Sequence, residues 1–205
     1  MTSLDTIREM LDEYQGPMRE EPLAIELYNT IYVGDGVVVD GLAEPISAAT
    51  WLAAMRERLP LGGMGGEPNQ DELTALRDAV RDVLSATVEQ RTPGRVGIEA
   101  LNAASARAPS SAAARWRRSG DPESIVRFHS DRRADIVISA IAADAIELVT
   151  GPARTELRSC GAPGCVLMFL KDHSRREWCS GACGNRARQA RHYWRTRARH
   201  DSVNG

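Results

Sequence analysis

Hydrophobic positions along this 205-residue chain recur mostly at helical spacing. Leu4, Ile7, Met10 and Leu11 line one side of a predicted helix over residues 3–14, with Arg8, Glu9, Asp12 and Glu13 opposite, and Gly16 and Pro17 end it. Residues 22–30 are mostly apolar and finish on Asn29 and Thr30. Gly34, Asp35 and Gly36 spell a turn, and Val37 to Val39 read as a strand. A helix capped by Ser47 is predicted through Trp51, Leu52, Met55 and Leu59, with Pro60 as its stop. The glycines at 62, 63, 65 and 66 predict a flexible loop, and no Lys-Ser/Thr follows them to make it a phosphate loop.

The longest periodic stripe is Leu73, Leu76, Ala79, Val80, Val83, Leu84 and Val88, on a helix predicted over about 70–90 with Asp71 and Glu72 at its positive end. Pro93 and Gly94 break it, and a shorter helix carries Ile98, Leu101 and Ala104. Residues 112–118 and 124–129 are predicted to pair as a hairpin around Gly120, Asp121 and Pro122. Ser130 or Asp131 then caps a strongly apolar helix to Val149, whose width around the axis marks it as central to the core. Gly151 and Pro152 separate residues 1–151 from residues 152–205. The expected class is α+β, mainly α, with a few short strands.

Charge divides at the same place. Residues 1–150 carry 15 Arg against 24 acids, a net of −9; residues 151–205 carry 10 Arg and one Lys against 4 acids, a net of +7. An acidic body followed by a basic module points to an anionic polymer docking on the second part. No apolar run reaches membrane-spanning length, and no secretory leader is legible at the start, which predicts a cytoplasmic protein with reduced thiols. His129 is the only histidine of the body, and no nucleophile–base or paired-carboxylate set is legible, so no enzyme activity is expected.

All four cysteines lie in the basic module: Cys160-x4-Cys165, thirteen residues, then Cys179-x3-Cys183. Two close thiol pairs suit one structural Zn²⁺, which takes four ligands at tetrahedral corners. Two disulfides or an iron–sulfur cluster are the other readings of four cysteines. His173 and His192 are spare, because four thiolates close the shell. Gly161 to Gly164 give a turn whose amides can point at sulfur, Val166 to Leu170 read as a strand, Lys171 to Arg176 as its polar return, and Trp178 as a packing anchor. Beyond Cys183, Ala187, Ala190, Trp194 and Ala198 share one helical face, while Arg188, Arg191, Arg195 and Arg199 form a parallel row about 100° around the axis. No acid occurs from 178 to 200, so the row repels itself unless an anion is supplied.

Cys160-x4-Cys165, the apolar run to Leu170, Trp178-Cys179-Ser180, Cys183-Gly184-Asn185-Arg186 and the basic tail to Arg199 together resemble the CGNR zinc finger. In bacterial proteins that finger follows a domain called ABATE, of the family described as a "putative stress-induced transcription regulator". Leu23 to Thr30, the helix at Trp51-Leu52 and Leu101-Asn102 are similar to that domain. The return loop between Leu170 and Trp178 is shorter than in many members. The resemblance implies a regulatory N-terminal domain and a zinc-binding, DNA-binding module, treble-clef-like or ribbon-type, with Cys160, Cys165, Cys179 and Cys183 as the ligands of one zinc.

The resulting expectation is a bacterial transcription regulator that presents a zinc-held basic helix to DNA. Asn185 and Arg186 would sit at the helix start, Asn185 as its cap or reading a base, with Arg188, Arg191, Arg195 and Arg199 on phosphates. The body is a candidate for sensing a small molecule, at Asn29, Thr30 and Trp51, or for homodimerisation. The alternatives are a thiol-based redox sensor and a protein-interaction module built on structural zinc.

Overall fold

In a computed structural model, residues 16–116, 118 and 120–201 are described; the helix expected over 3–14 lies outside them. Six helices occur among these residues: α1 (Leu23–Tyr28), α2 (Pro45–Ala54), α3 (Gln70–Val88), α4 (Arg95–Ser105), α5 (Arg133–Thr150) and α6 (Gly181–Asp201). Three antiparallel hairpins punctuate them: β1 (Ile31–Gly34) with β2 (Val37–Asp40), β3 (Ser110–Arg115) with β4 (Glu123–Phe128), and β5 (Leu157–Ser159) with β6 (Met168–Leu170). The α+β, mainly α, architecture is the one the pattern predicts.

Helix α3 starts on a reciprocal cap. Asn69 Oδ1 accepts the Glu72 N–H at 2.9 Å, and the Glu72 carboxylate accepts the Asn69 N–H at 3.0 Å. Its stripe from Leu73 to Leu84 packs against Val137, Ile138, Ile141, Ala145 and Leu148 of α5 in one core. Helix α1 has six residues, too few to persist alone, and is held by burial from Ala24 to Tyr28. Its Ala24 N–H, an orphan of the first turn, is taken by Asp144 Oδ2 of α5 at 2.8 Å.

Several boundaries move from their expected places. Helix α2 starts at Pro45, ahead of Ser47, because proline at the first position gives up no needed N–H; it ends at Ala54, and Arg58 and Leu59 turn back onto the Met55 carbonyl. Neither Ser130 nor Asp131 caps α5: the cap position is Arg132, whose N–H is accepted by Ser130 Oγ at 3.2 Å. The β3–β4 pairing begins at Ser110 opposite Phe128, two residues before the expected strand. The glycine loop is pinned, not free. Met64 donates to the Asp131 carbonyl at 2.6 Å and accepts from Arg133 at 3.0 Å. Gly63, at φ +80°, lies where a Cβ would meet the Arg133 backbone at 2.7 Å.

The basic module shares the body's core. Leu157 and Met168 are buried in the cluster formed by α1, α2, α3 and α5, with Leu170 packed beside them. Leu167 and Phe169, on the opposite face of the same strand region, pack with the cysteines and Ala187 in a second cluster that Tyr32 and Trp178 flank.

Candidate metal centre and basic helix

Strands β5 and β6 deliver the first thiol pair. Cys160 follows β5, the chain turns through Gly164 at φ +70°, and Cys160 N–H closes the turn on the Leu167 carbonyl at 2.8 Å. The second pair comes from the other direction. Cys179 precedes α6 and Cys183 lies in its first turn, where Ser180 Oγ accepts the Cys183 N–H at 3.2 Å and caps the helix. A hairpin turn facing a helix N-terminus is the treble-clef-like arrangement. Helix α6 therefore begins four residues before Asn185, and Asn185 lies inside it, accepting from Arg188 instead of capping.

The four Sγ atoms lie within 4.8 Å of one another, with Cys165–Cys179 at 3.8 Å and Cys179–Cys183 at 3.5 Å. Tetrahedral zinc with bonds of about 2.3 Å spaces its sulfurs by about 3.8 Å. All four cysteines are free thiols. The donor set fits one Zn²⁺, and His173 and His192 are not part of it. Backbone N–H groups of Ala162 and Cys179 point at Cys160 sulfur, and that of Leu167 at Cys165 sulfur. The thiols perturb one another strongly. Hydrogen bonds from Cys165 and Cys179 hold Cys160 far below the ordinary thiol range. The same hydrogen bonding to Cys160, with burial and the Cys160 charge adding to it, pushes Cys165 up to about 11 and Cys179 well above the thiol range. A divalent cation among the four sulfurs would favour their thiolate forms.

Trp178 is the anchor between the two halves of the finger. Its indole lies 3.6 Å from where a Cβ on Gly161 would sit and 2.9 Å from one on Gly184, so the glycine of the CGNR run is the floor beneath the ring. Arg186, expected on nucleic acid, donates to Cys183 Sγ at 3.2 Å, a cationic hydrogen bond on a ligand sulfur.

Helix α6 outruns the finger. Ala187 is buried and Ala190 half-buried, but Trp194 is 64% exposed and the neighbouring Tyr193 54%, so the expected apolar face packs only at its start. Arg188, Arg191 and Arg195 are exposed, and no ion pair joins Arg186, Arg188, Arg191, Arg195 or Arg197 to a carboxylate among the described residues. Position 199 falls within the span of α6.

Asn29, Thr30 and Trp51 are fully buried. Asn29 Nδ2 donates to the Met168 carbonyl at 3.0 Å, and Met168 N–H donates to Asn29 Oδ1 at 2.9 Å. Thr30 Oγ1 donates to the Leu27 carbonyl at 2.8 Å, and Trp51 sits in the main core. Sequence reasoning missed Glu21. Its carboxylate accepts the Leu170 N–H at 3.0 Å and pairs with Arg176, so a second body residue holds the finger. These partners are more than a hundred residues apart, and no local pattern announces them.

Two family models match the chain. ABATE, described as "Putative stress-induced transcription regulator", matches residues 21–152, and the CGNR zinc finger matches residues 156–196. No curated protein matches it.

Proposed function

The chain belongs to the ABATE family and carries a CGNR zinc finger, and on that footing we propose that it regulates transcription by laying α6 on DNA. One observation carries the reading: a helix of 21 residues, about 31 Å long, leaves a fixed finger with arginines that have no carboxylate partner among the described residues. Phosphates supply the missing anions, and a major groove about 12 Å wide admits one helix. Zinc is structural here, since four thiolates leave no open position for water, and the protein is not an enzyme. The acidic body faces away from the DNA and holds the finger. No described helix is long and apolar enough to cross a membrane, and a cytoplasmic site of action suits a DNA-binding regulator. The test is fluorescence anisotropy with duplex DNA at several salt concentrations. Arg188→Ala with Arg191→Ala is expected to weaken binding at least tenfold at about 100 mM salt and to lower the salt slope by about 0.9 per lost phosphate contact. Unchanged affinity and slope would remove the row from the interface and leave an acidic protein as its partner.

A second reading, redox sensing, has one observation in its favour. Cys165 is the only half-exposed thiol of the four and lines a cleft of about 290 Å³ beside Arg19, Tyr32 and Arg186. One equivalent of peroxide oxidises two thiols to a disulfide and gives two waters, which would release the zinc. A chromogenic chelator that sees no zinc at stoichiometric peroxide rejects it.

A further inference from the structure

The β3–β4 hairpin leans over α5 without packing closely against it. Its first strand is Ser-Ser-Ala-Ala-Ala-Arg and mostly exposed, a poor strand sequence, and an isolated two-stranded hairpin is marginal in water. Between hairpin and helix lies a groove of about 620 Å³, within the usual range for small-molecule sites. Leu23, Ile125, Phe128 and Ala140 give it apolar walls, and Leu61, 91% exposed, and Val126, 64% exposed, stand on its rim.

The charges in the groove are not balanced. Arg58 is committed to Glu26 at 3.3 Å and to the Glu21 carbonyl, and Arg115 to Glu123 at 2.7 Å. Asp144 accepts only the Ala24 N–H, on Oδ2, and the Glu147 carboxylate has no partner among the described residues. Two carboxylates three residues apart, about one helical turn, thus line a largely apolar groove. We propose that this groove binds a small apolar molecule carrying a single positive charge, its ammonium group between Asp144 and Glu147 and its hydrocarbon under the hairpin. Burial pushes the Asp144 carboxyl up and the Glu147 charge adds to this, while the Ala24 N–H and the more distant Arg58 charge oppose it; a cation placed between the two carboxylates adds to the opposing side.

The experiment titrates the zinc-loaded full chain with n-hexylamine, n-hexanol and hexanoate, followed residue by residue by amide NMR. Hexylammonium is expected to give saturable shifts at Leu23, Ile125, Phe128 and Ala140 and to bind at least tenfold tighter than hexanoate. Asp144→Asn, which keeps an acceptor for the Ala24 N–H, combined with Glu147→Gln is expected to reduce the amine to the affinity of hexanol. Hexanoate binding as tightly as the amine, shifts outside the groove, or a double variant that binds the amine unchanged would each overturn the proposal. None of these readouts involves DNA, so the outcome is independent of the role of α6.

Discussion

Asn29 does for β6 what a neighbouring strand would do. In the β5–β6 ladder Cys160 and Leu167 form a hydrogen-bonded pair, so by alternation Met168 turns its N–H and C=O away from β5. Both groups are buried and both end on the Asn29 amide, at 2.9 and 3.0 Å. Asn29→Ala leaves one donor and one acceptor buried without partners. At about 1–3 kcal/mol each, the expected loss is about 2–6 kcal/mol, a large part of a typical domain's stability. Urea unfolding with saturating zinc measures it. Asn29→Asp sharpens the test, because a carboxylate can accept from Met168 N–H but repels its carbonyl, whereas the protonated acid can donate to it. The carboxyl's folded pKa is therefore raised, and this variant is expected to be weak at neutral pH and to regain stability as pH falls. Thr30→Ala, which breaks only a hydrogen bond within its own turn, is expected to cost about 1 kcal/mol. If Asn29→Ala unfolds at the wild-type midpoint, the latch contributes nothing and the reasoning fails.

Cys160→Ser is expected to abolish the binding of one zinc per chain and to remove amide-exchange protection over residues 157–200 while leaving most body helix in the far-UV spectrum; full zinc content in this variant contradicts the site. Gly184→Ala replaces a helical glycine, normally a gain of about 1 kcal/mol, but the new Cβ would lie 2.9 Å from the Trp178 ring, so a net loss of about 1–3 kcal/mol is expected. Gly181→Ala, with open space around it, is the control and should be neutral or stabilising in the same thermal melt. Burial works to raise Glu72, but hydrogen bonds from Arg107 and the Asn69 N–H outweigh it and hold the carboxyl below its ordinary 4.5. Its contribution is therefore present above about pH 4.5 and lost as pH falls further, and Glu72→Gln should flatten that acid branch of the stability curve.

Legibility in the sequence followed locality. Helices α3 and α5 declared themselves through long apolar stripes, and the metal centre through the spacing of the only four cysteines. The start of α6 is less legible: the sequence pattern points to Asn185 as the cap, whereas Ser180, three residues before Cys183, takes that place. The contact of Arg186 with sulfur depends on that start, since only with Cys183 inside the helix do the two lie about one turn apart. Asn29 and Thr30 stood out as polar residues ending an apolar run, but nothing nearby in sequence says that Asn29 binds a strand 139 residues away. Glu26, fully buried in a six-residue helix, was equally opaque: its stabilising partners, the Arg19 and Glu21 N–H groups and Arg58, assemble only in the fold.

The charge split now has a mechanical counterpart. A module of about 50 residues buries too little apolar surface to fix a protruding helix by itself. Here two separate fastenings act in series. Zinc joins the β5–β6 turn to the first turn of α6, and Trp178 packs against Gly184 in that same joint. Asn29, Glu21 and the shared core then join β6 to the body through Met168, Leu170 and Leu157. The direction of α6 is set relative to the whole molecule and not merely to the finger. On the proposed DNA-binding role, an arginine row in a fixed direction would meet phosphates without first losing the freedom of a tethered domain, so less of the electrostatic attraction would be spent on ordering the protein. That follows only because the acidic residues that hold the finger, Glu21 above all, pair with Arg176 of the return loop, while Arg186, Arg188, Arg191, Arg195 and Arg197 of α6 have no carboxylate partner among the described residues.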